Sequence, residues 1–324
     1  MNFDFTDDQK AIKRTAHDFL AARYTSETIR ELARDDRGFT DAQWQALVEL
    51  GWPGVIVPEE HDGLGLGAVE LIVIAEEMGY GLAPSPLQSN TCAALLLIAA
   101  GIERQRRRWL EPLARGELRG TVAVWDERAG WAPDRSEAES TDGALTATKI
   151  AVPDAVSADF VIIAGADRRH YLVETVAPAV QIVAEESLDL TRKLFTVRLD
   201  GAPVEPLDHV PKRVEHAYAT IVTALAAENV GVAQRAMEMA VAYAGDRKQF
   251  GRLIGAHQAV SHRCAQMLLE VESARSLSYW AAWALDHEPQ SAVPGMASAL
   301  TARRERVGRT GRGVCAESSR AALP

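Results

Sequence analysis

The hydrophobic period changes twice along this 324-residue chain, and no single motif limits the possible folds as strongly. Between residues 1 and 120 apolar side chains recur at helical spacing. Ile12, Ala16, Phe19 and Leu20 form one stripe, entered through Thr6 with Asp7 and Asp8 behind it. A hydroxyl there caps free backbone N–H groups, and the acids meet the positive end of the helix dipole. Trp44, Leu47 and Val48 ahead of Gly51 predict a second helix with a glycine stop. Val69, Ile72, Val73, Glu76 and Glu77 predict a third, Cys92 to Ile102 an apolar fourth, and Gln105 to Leu113 a fifth. The basic run Arg104 to Arg108 reads as a solvated helix face.

From 121 to 205 the pattern turns β-rich. Segments starting at Thr121, Ala144, Phe160, His170, Val180 and Leu194 are separated by turn signals such as Thr141-Asp142-Gly143 and Asp200-Gly201. Spacing of roughly ten residues points to an antiparallel barrel or sandwich, not to βαβ units. Helical period returns from Val214. Ala217 to Ala244 is apolar on more than one face, as a helix inside a bundle must be. A last long helix is expected from His257 to His287, its core stripe made by Met267, Val271, Ala274, Leu277 or Ser278, Ala281 and Leu285. The fold class expected is therefore α+β and multi-domain: an N-terminal helical domain (1–120), a middle antiparallel β-barrel (121–210) and an incomplete C-terminal helical bundle (211–300). An Arg- and Gly-rich tail follows at 301–324.

Composition narrows the function classes. A net charge of −10 leaves no basic surface for nonspecific nucleic-acid binding. The tail runs against this balance, with six arginines facing only Glu305 and Glu317. The acidic start lacks the basic and apolar regions of a secretory signal. No apolar run approaches the ~20 residues that span a bilayer, so no membrane is expected. Cys92, Cys264 and Cys315 are scattered without a Cys-x-x-Cys, which fits reduced thiols and a cytoplasmic location.

Several familiar motifs fail on context. Gly63-Leu-Gly65-Leu-Gly67-Ala68 matches a dinucleotide fingerprint in letters, but the strand–helix setting that the motif needs is missing. These glycines read as a turn between helices. His257 and His262 are spaced so that they do not share a helical face, so no metal site is expected.

One segment does carry chemistry. Arg247-Lys-Gln249-Phe250-Gly251, followed by Gln258, surrounds a glycine break between two long helices. A helix start offers free N–H groups to an anion, and an arginine fork grips phosphate. The plainer reading is a solvated Arg247 and a packing Phe250. This segment resembles the signature of the acyl-CoA dehydrogenases, flavoproteins that oxidise acyl-CoA thioesters. Gly51 to Glu60, Gly63 to Gly67, Glu76-Glu77-Met78-Gly79 and Met267 to Trp283 are similar to the same family. The resemblance implies that Arg247, Phe250 and Gln258, with Gln249 as an added candidate, reach the FAD of a neighbouring subunit. It also implies an acyl-CoA substrate, a homo- or hetero-oligomer with a related subunit, and an electron-transfer flavoprotein as redox partner.

The sequence departs from the family pattern in three places. The segment carrying the usual glutamate base is not found. The alternative base position, counted back from Arg247, falls on Ile221; Glu228, two turns further on, is the substitute candidate, with a buried helix acid as its plainer reading. The family's Thr-Glu-Pro-Gly-x-Gly-Ser-Asp is replaced by Val124-Trp125-Asp126-Glu127 and the residues to Pro133, and its aromatic-Ile-Thr-Asn by Ala151-Val-Pro153-Asp154. Trp125 and Trp131 become candidates to stack on an isoalloxazine ring. The function expected is FAD-dependent α,β-dehydrogenation of an acyl-CoA. The alternatives are a non-catalytic partner subunit of a heteromeric dehydrogenase, or an inactive chain whose frame shifts near the tail.

Overall fold

The computed structural model describes residues 5–127 and 136–288. Trp131 and the 301–324 tail lie outside the described residues. Helices come first: α1 (Asp7–Arg23), α2 (Ser26–Leu32), α3 (Asp41–Glu49), α4 (Ala68–Tyr80), α5 (Leu87–Ala100), and the short α6 (Glu103–Gln105) and α7 (Glu111–Ala114), joined by a π-type turn at Arg106–Leu110. Nine strands follow: β1 (Gly120–Ala123), β2 (Trp125–Asp126), β3 (Glu139–Thr141), β4 (Ala144–Pro153), β5 (Phe160–Ala164), β6 (His170–Glu174), β7 (Val180–Ala184), β8 (Leu194–Pro203) and β9 (Glu205–Pro206). The last elements are α8 (Pro211–Asp246), the hairpin β10 (Lys248–Gln249) and β11 (Arg252–Leu253), and α9 (Gln258–His287).

Local chemistry explains most boundaries. Thr6 caps α1 by accepting from the Gln9 N–H, and Gln9 returns the bond to Thr6 N–H at 3.0 Å. Gly51 takes φ +72° after α3, a left-handed stop that glycine adopts without a Cβ penalty. Two helices start earlier than their apolar stripes predict. In α8, Pro211 stands first, where its missing N–H costs nothing. In α5, Ser89, Asn90 and Thr91 are buried polar residues ahead of the apolar run. Thr91 donates to the Leu87 carbonyl and Asn90 accepts from the Gly120 N–H.

The described residues divide into two compact units built from non-contiguous segments. One holds residues 5–24, 68–83 and 222–288, so α1, α4, most of α8, and α9. Its core includes Val230, Met237, Ala240, Met267, Val271 and Ala274. On α9 Ser278, not Leu277, completes the buried stripe. The other unit holds 25–67 and 84–221, with α2, α3, α5–α7, all nine strands of the middle region and the first turns of α8.

The middle region forms two sheets, β1-β5-β6-β9 and β2-β4-β8-β7 with β3 paired to β4; no closed barrel forms among the described residues. Pairing is antiparallel except for β1, which runs parallel to β5. The reason lies at Val124. The strand expected over 121–125 breaks there, so β1 joins one sheet and β2 the other. Leu145, Val161, Ile163, Phe195 and Val197 fill the core of this region.

Candidate functional site

In the first unit, α8 ends at Asp246 and the chain doubles back through the β10–β11 hairpin before α9 begins. The loop is two residues long. Phe250 has φ +53° and Gly251 φ +77°, the pair of left-handed residues that a type I′ turn requires. Glycine meets that demand freely, whereas a phenylalanine there stores backbone strain. Phe250 is also 92% exposed. The Ile254 N–H bonds the Arg247 carbonyl at 2.8 Å, closing the base of the hairpin. Arg252 Nη2 donates to His257 Nδ1 at 3.0 Å, and the His257 ring meets Phe250 edge to face. His257 is the N-cap of α9, and no side chain caps that end, so the first turn keeps free N–H groups beside Gln258. Arg247, Gln249, Phe250 and Gln258 thus share one hairpin–helix junction. Glu228 does not join them: it is half-buried on α8, and its carbonyl lies against Gly79 of α4.

The same unit holds a buried charge network that the sequence registers only as acids on a helix. Glu76, 4% exposed, accepts from Lys13 Nζ at 2.9 Å, Arg275 Nε at 3.1 Å and the Tyr279 hydroxyl at 2.7 Å. Burial first, and the Glu76 charge second, push the Tyr279 phenol up, so it stays a donor. Glu77 accepts from His17 Nδ1 at 2.9 Å. A pair of acids within an apolar helical stripe was the available signal.

The second unit carries the segments that depart from the family pattern. Trp125 on β2 pairs with Ile150 on β4, and Asp126 pairs with Lys149. β4 bulges between Lys149 and Val152; Ala151 takes φ +50°, and its N–H is held by Glu185 Oε1 at 3.0 Å. Bulges of this kind re-aim side chains and cluster near functional sites. Asp154, at φ +55°, is buried and accepts from the Ser89 hydroxyl at 2.7 Å. Burial raises its carboxyl to about 6, against smaller lowering by the Ser89 bond and Arg192. Lys149 is 0% exposed and its ammonium contacts Asp126 Oδ2 (2.8 Å), Ser136 Oγ (2.7 Å) and the Val124 carbonyl (3.3 Å). The alternation of β4 places Lys149 on the face of Leu145 and Ala147, which pack into the core; the groups that compensate its charge come from β2 and from Ser136. Trp125 and Arg247 fall in different units, and each stands on its own geometry.

The family described as acyl-CoA dehydrogenase, N-terminal domain, matches residues 6–117, and acyl-CoA dehydrogenase, C-terminal domain, matches residues 223–307. Acyl-CoA dehydrogenase IpdE2 of Mycobacterium tuberculosis is 29% identical over 84% of this chain and 74% of its own. Benzylmalonyl-CoA dehydrogenase of Aromatoleum aromaticum is 29% identical over 99% of this chain and 89% of its own. Among solved structures, the ChsE4-ChsE5 complex from Mycobacterium tuberculosis aligns with a TM-score of 0.86 and 26% identity, covering 97% of this chain and 88% of that one.

Proposed function

The chain belongs to the acyl-CoA dehydrogenase family, flavoproteins whose cofactor is FAD, and from that premise we propose that it works as one subunit of an acyl-CoA dehydrogenase, gripping through its hairpin an FAD that a related subunit shares. The donor set at the hairpin suits that dinucleotide. Arg247 and Arg252 are fixed cations, Gln249 and Gln258 carry amide donors, and the first turn of α9 is uncapped. A diphosphate offers only acceptors and negative charge, the complement of such a set. When bound, FAD accepts the hydride that leaves the acyl β-carbon. Arg247 clamps the diphosphate, Gln258 orients it at the helix start, and Phe250 covers the neighbouring subunit. Trp125 offers a flat face for an isoalloxazine ring. Glu228, half-buried on α8, stands as the candidate base. The substrate is an acyl-CoA thioester, and the electrons pass on to an electron-transfer flavoprotein.

The observation that supports this reading is Phe250: a large apolar ring held in strained backbone and 92% exposed on the chain by itself. Backbone strain of this kind clusters at functional sites, and the exposed ring is open to contact with another molecule. No helix among the described residues is long and apolar enough to cross a membrane. The test is the flavin content of the chain purified alone and with a related subunit, with Arg247→Ala in parallel. Losing a charge-assisted contact of about 1.5–3 kcal/mol weakens FAD binding by roughly 10- to 100-fold. Flavin content unchanged in Arg247→Ala, or flavin absent from both preparations, removes the reading.

A further inference from the structure

Lys149 lies where no solvated lysine would: its side chain is fully buried inside the middle sheet region. Its three oxygen partners are distributed in a particular way. Val124 precedes Trp125 and Asp126 follows it, so the ammonium brackets Trp125 on both sides. The third partner is Ser136, ahead of β3. That segment is tied in further: Asp126 Oδ2 also accepts from the Glu137 N–H at 3.3 Å, and Ser136 Oγ donates to the Ala164 carbonyl at 2.7 Å and accepts from the Ala138 N–H at 3.1 Å. Lys149 itself begins the β4 bulge at which Ala151 turns left-handed. One cation therefore connects β2, the segment 136–138 and the distorted stretch of β4.

An ordinary structural ion pair needs one counter-ion. Here the strand pairing of β2 is only two residues long, too short to hold a large indole in one orientation by backbone bonds alone. We propose that Lys149 is a positioning residue of the flavin site, fixing Trp125 through the carbonyl and carboxylate on either side of it. This rests on the reading that Trp125 faces the flavin. Lys149 touches neither cofactor nor substrate; it acts by limiting the rotation of β2. Desolvation draws the Lys149 ammonium below the usual lysine range while Asp126 opposes the shift, so the charge is retained by its partners and depends on them.

The experiment uses the FAD-loaded protein together with any subunit that accompanies it. Trp125→Leu is expected to change the flavin absorption envelope and fluorescence, as loss of a stacked indole does. Asp126→Asn/Lys149→Met removes both charges together, which avoids leaving either one buried and alone. It is expected to reproduce the spectral change of Trp125→Leu and to raise the FAD Kd by about tenfold. Adding Trp125→Leu to it is then expected to produce no further change. Ser136→Ala, which removes one tie without touching charge, covers the case in which the pair variant does not fold; it is expected to shift the spectrum part of the way. A folded pair variant, or Ser136→Ala, with the wild-type flavin spectrum overturns the proposal and leaves Lys149 a purely structural cation. A Trp125→Leu variant with the wild-type spectrum instead removes the placement of Trp125 at the flavin, a separate failure.

Discussion

Gly231→Ala is expected to lower the stability of the protein by about 3 kcal/mol or more, against the usual direction for such a change in a helix. Gly231 lies within α8, and in an exposed helix alanine would be favoured by roughly 1 kcal/mol. Here the missing side chain is what lets two backbones meet. A Cβ built on Gly231 would stand 1.9 Å from the Glu76 carbonyl oxygen and 2.6 Å from the Tyr80 nitrogen, both on α4. The contact is reciprocal: a Cβ on Gly79 of α4 would stand 1.8 Å from the Glu228 carbonyl oxygen on α8. Backbone atoms inside two helices cannot step aside as a flexible side chain can, so the helices must separate. Separation pulls α4 away from its partners and stretches the bonds from Lys13, Arg275 and Tyr279 to Glu76. Urea unfolding measures the effect as a lower midpoint with an unchanged slope. Stability equal to or above wild type would mean that the crossing is not as close as the geometry states.

Asp154→Asn is expected to stabilise the protein at neutral pH by up to about 3 kcal/mol and to do nothing near pH 4. The sign follows from the direction of the shift. Burial raises the folded-state carboxyl from 3.8 to about 6, so the native state holds its proton more tightly than the unfolded chain does. Below 3.8 both states are protonated and no difference arises. As pH rises from there through 6, the unfolded chain ionises freely while the native protein must ionise a buried group. Stability is lost across that window and stays lost above it. Asparagine cannot ionise, yet its carbonyl oxygen can still accept from the Ser89 hydroxyl. It is also the residue that the family pattern carries at this place. Unfolding at pH 4, 5, 6 and 7.5 distinguishes the idea: a gain independent of pH would show that Asp154 is not the titrating group.

Most elements were legible because their signals are local. The capped start of α1, the glycine stop after α3 and the short apolar runs of β5 and β6 are each written in a few adjacent side chains. The Arg247–Gln258 segment was legible for the same reason, since the hairpin and the helix start that follow it are consecutive in the chain. Less visible were features that depend on residues far apart. The early start of α5 escaped the hydrophobic pattern because Asn90 and Ser89 find their partners at Gly120 and Asp154. The split of the 121–125 strand between two sheets depends on β5 and β4, which lie further along.

The amino-acid order alone was enough to establish helix–sheet–helix organisation, the family and the flavin cofactor, and to single out the segment around Arg247 as a candidate, because periodicity and motif spacing are properties of neighbours in sequence. Tertiary structure alone decided that Lys149 is buried between Asp126 and Ser136, that Asp154 sits dry beside Ser89, and that Gly79 and Gly231 let α4 and α8 touch. For the glycines the deciding quantity is the close approach of a distant backbone, and for Lys149 and Asp154 it is the removal of water by a distant part of the chain. Desolvation of that kind has no signature until the chain has folded back on itself.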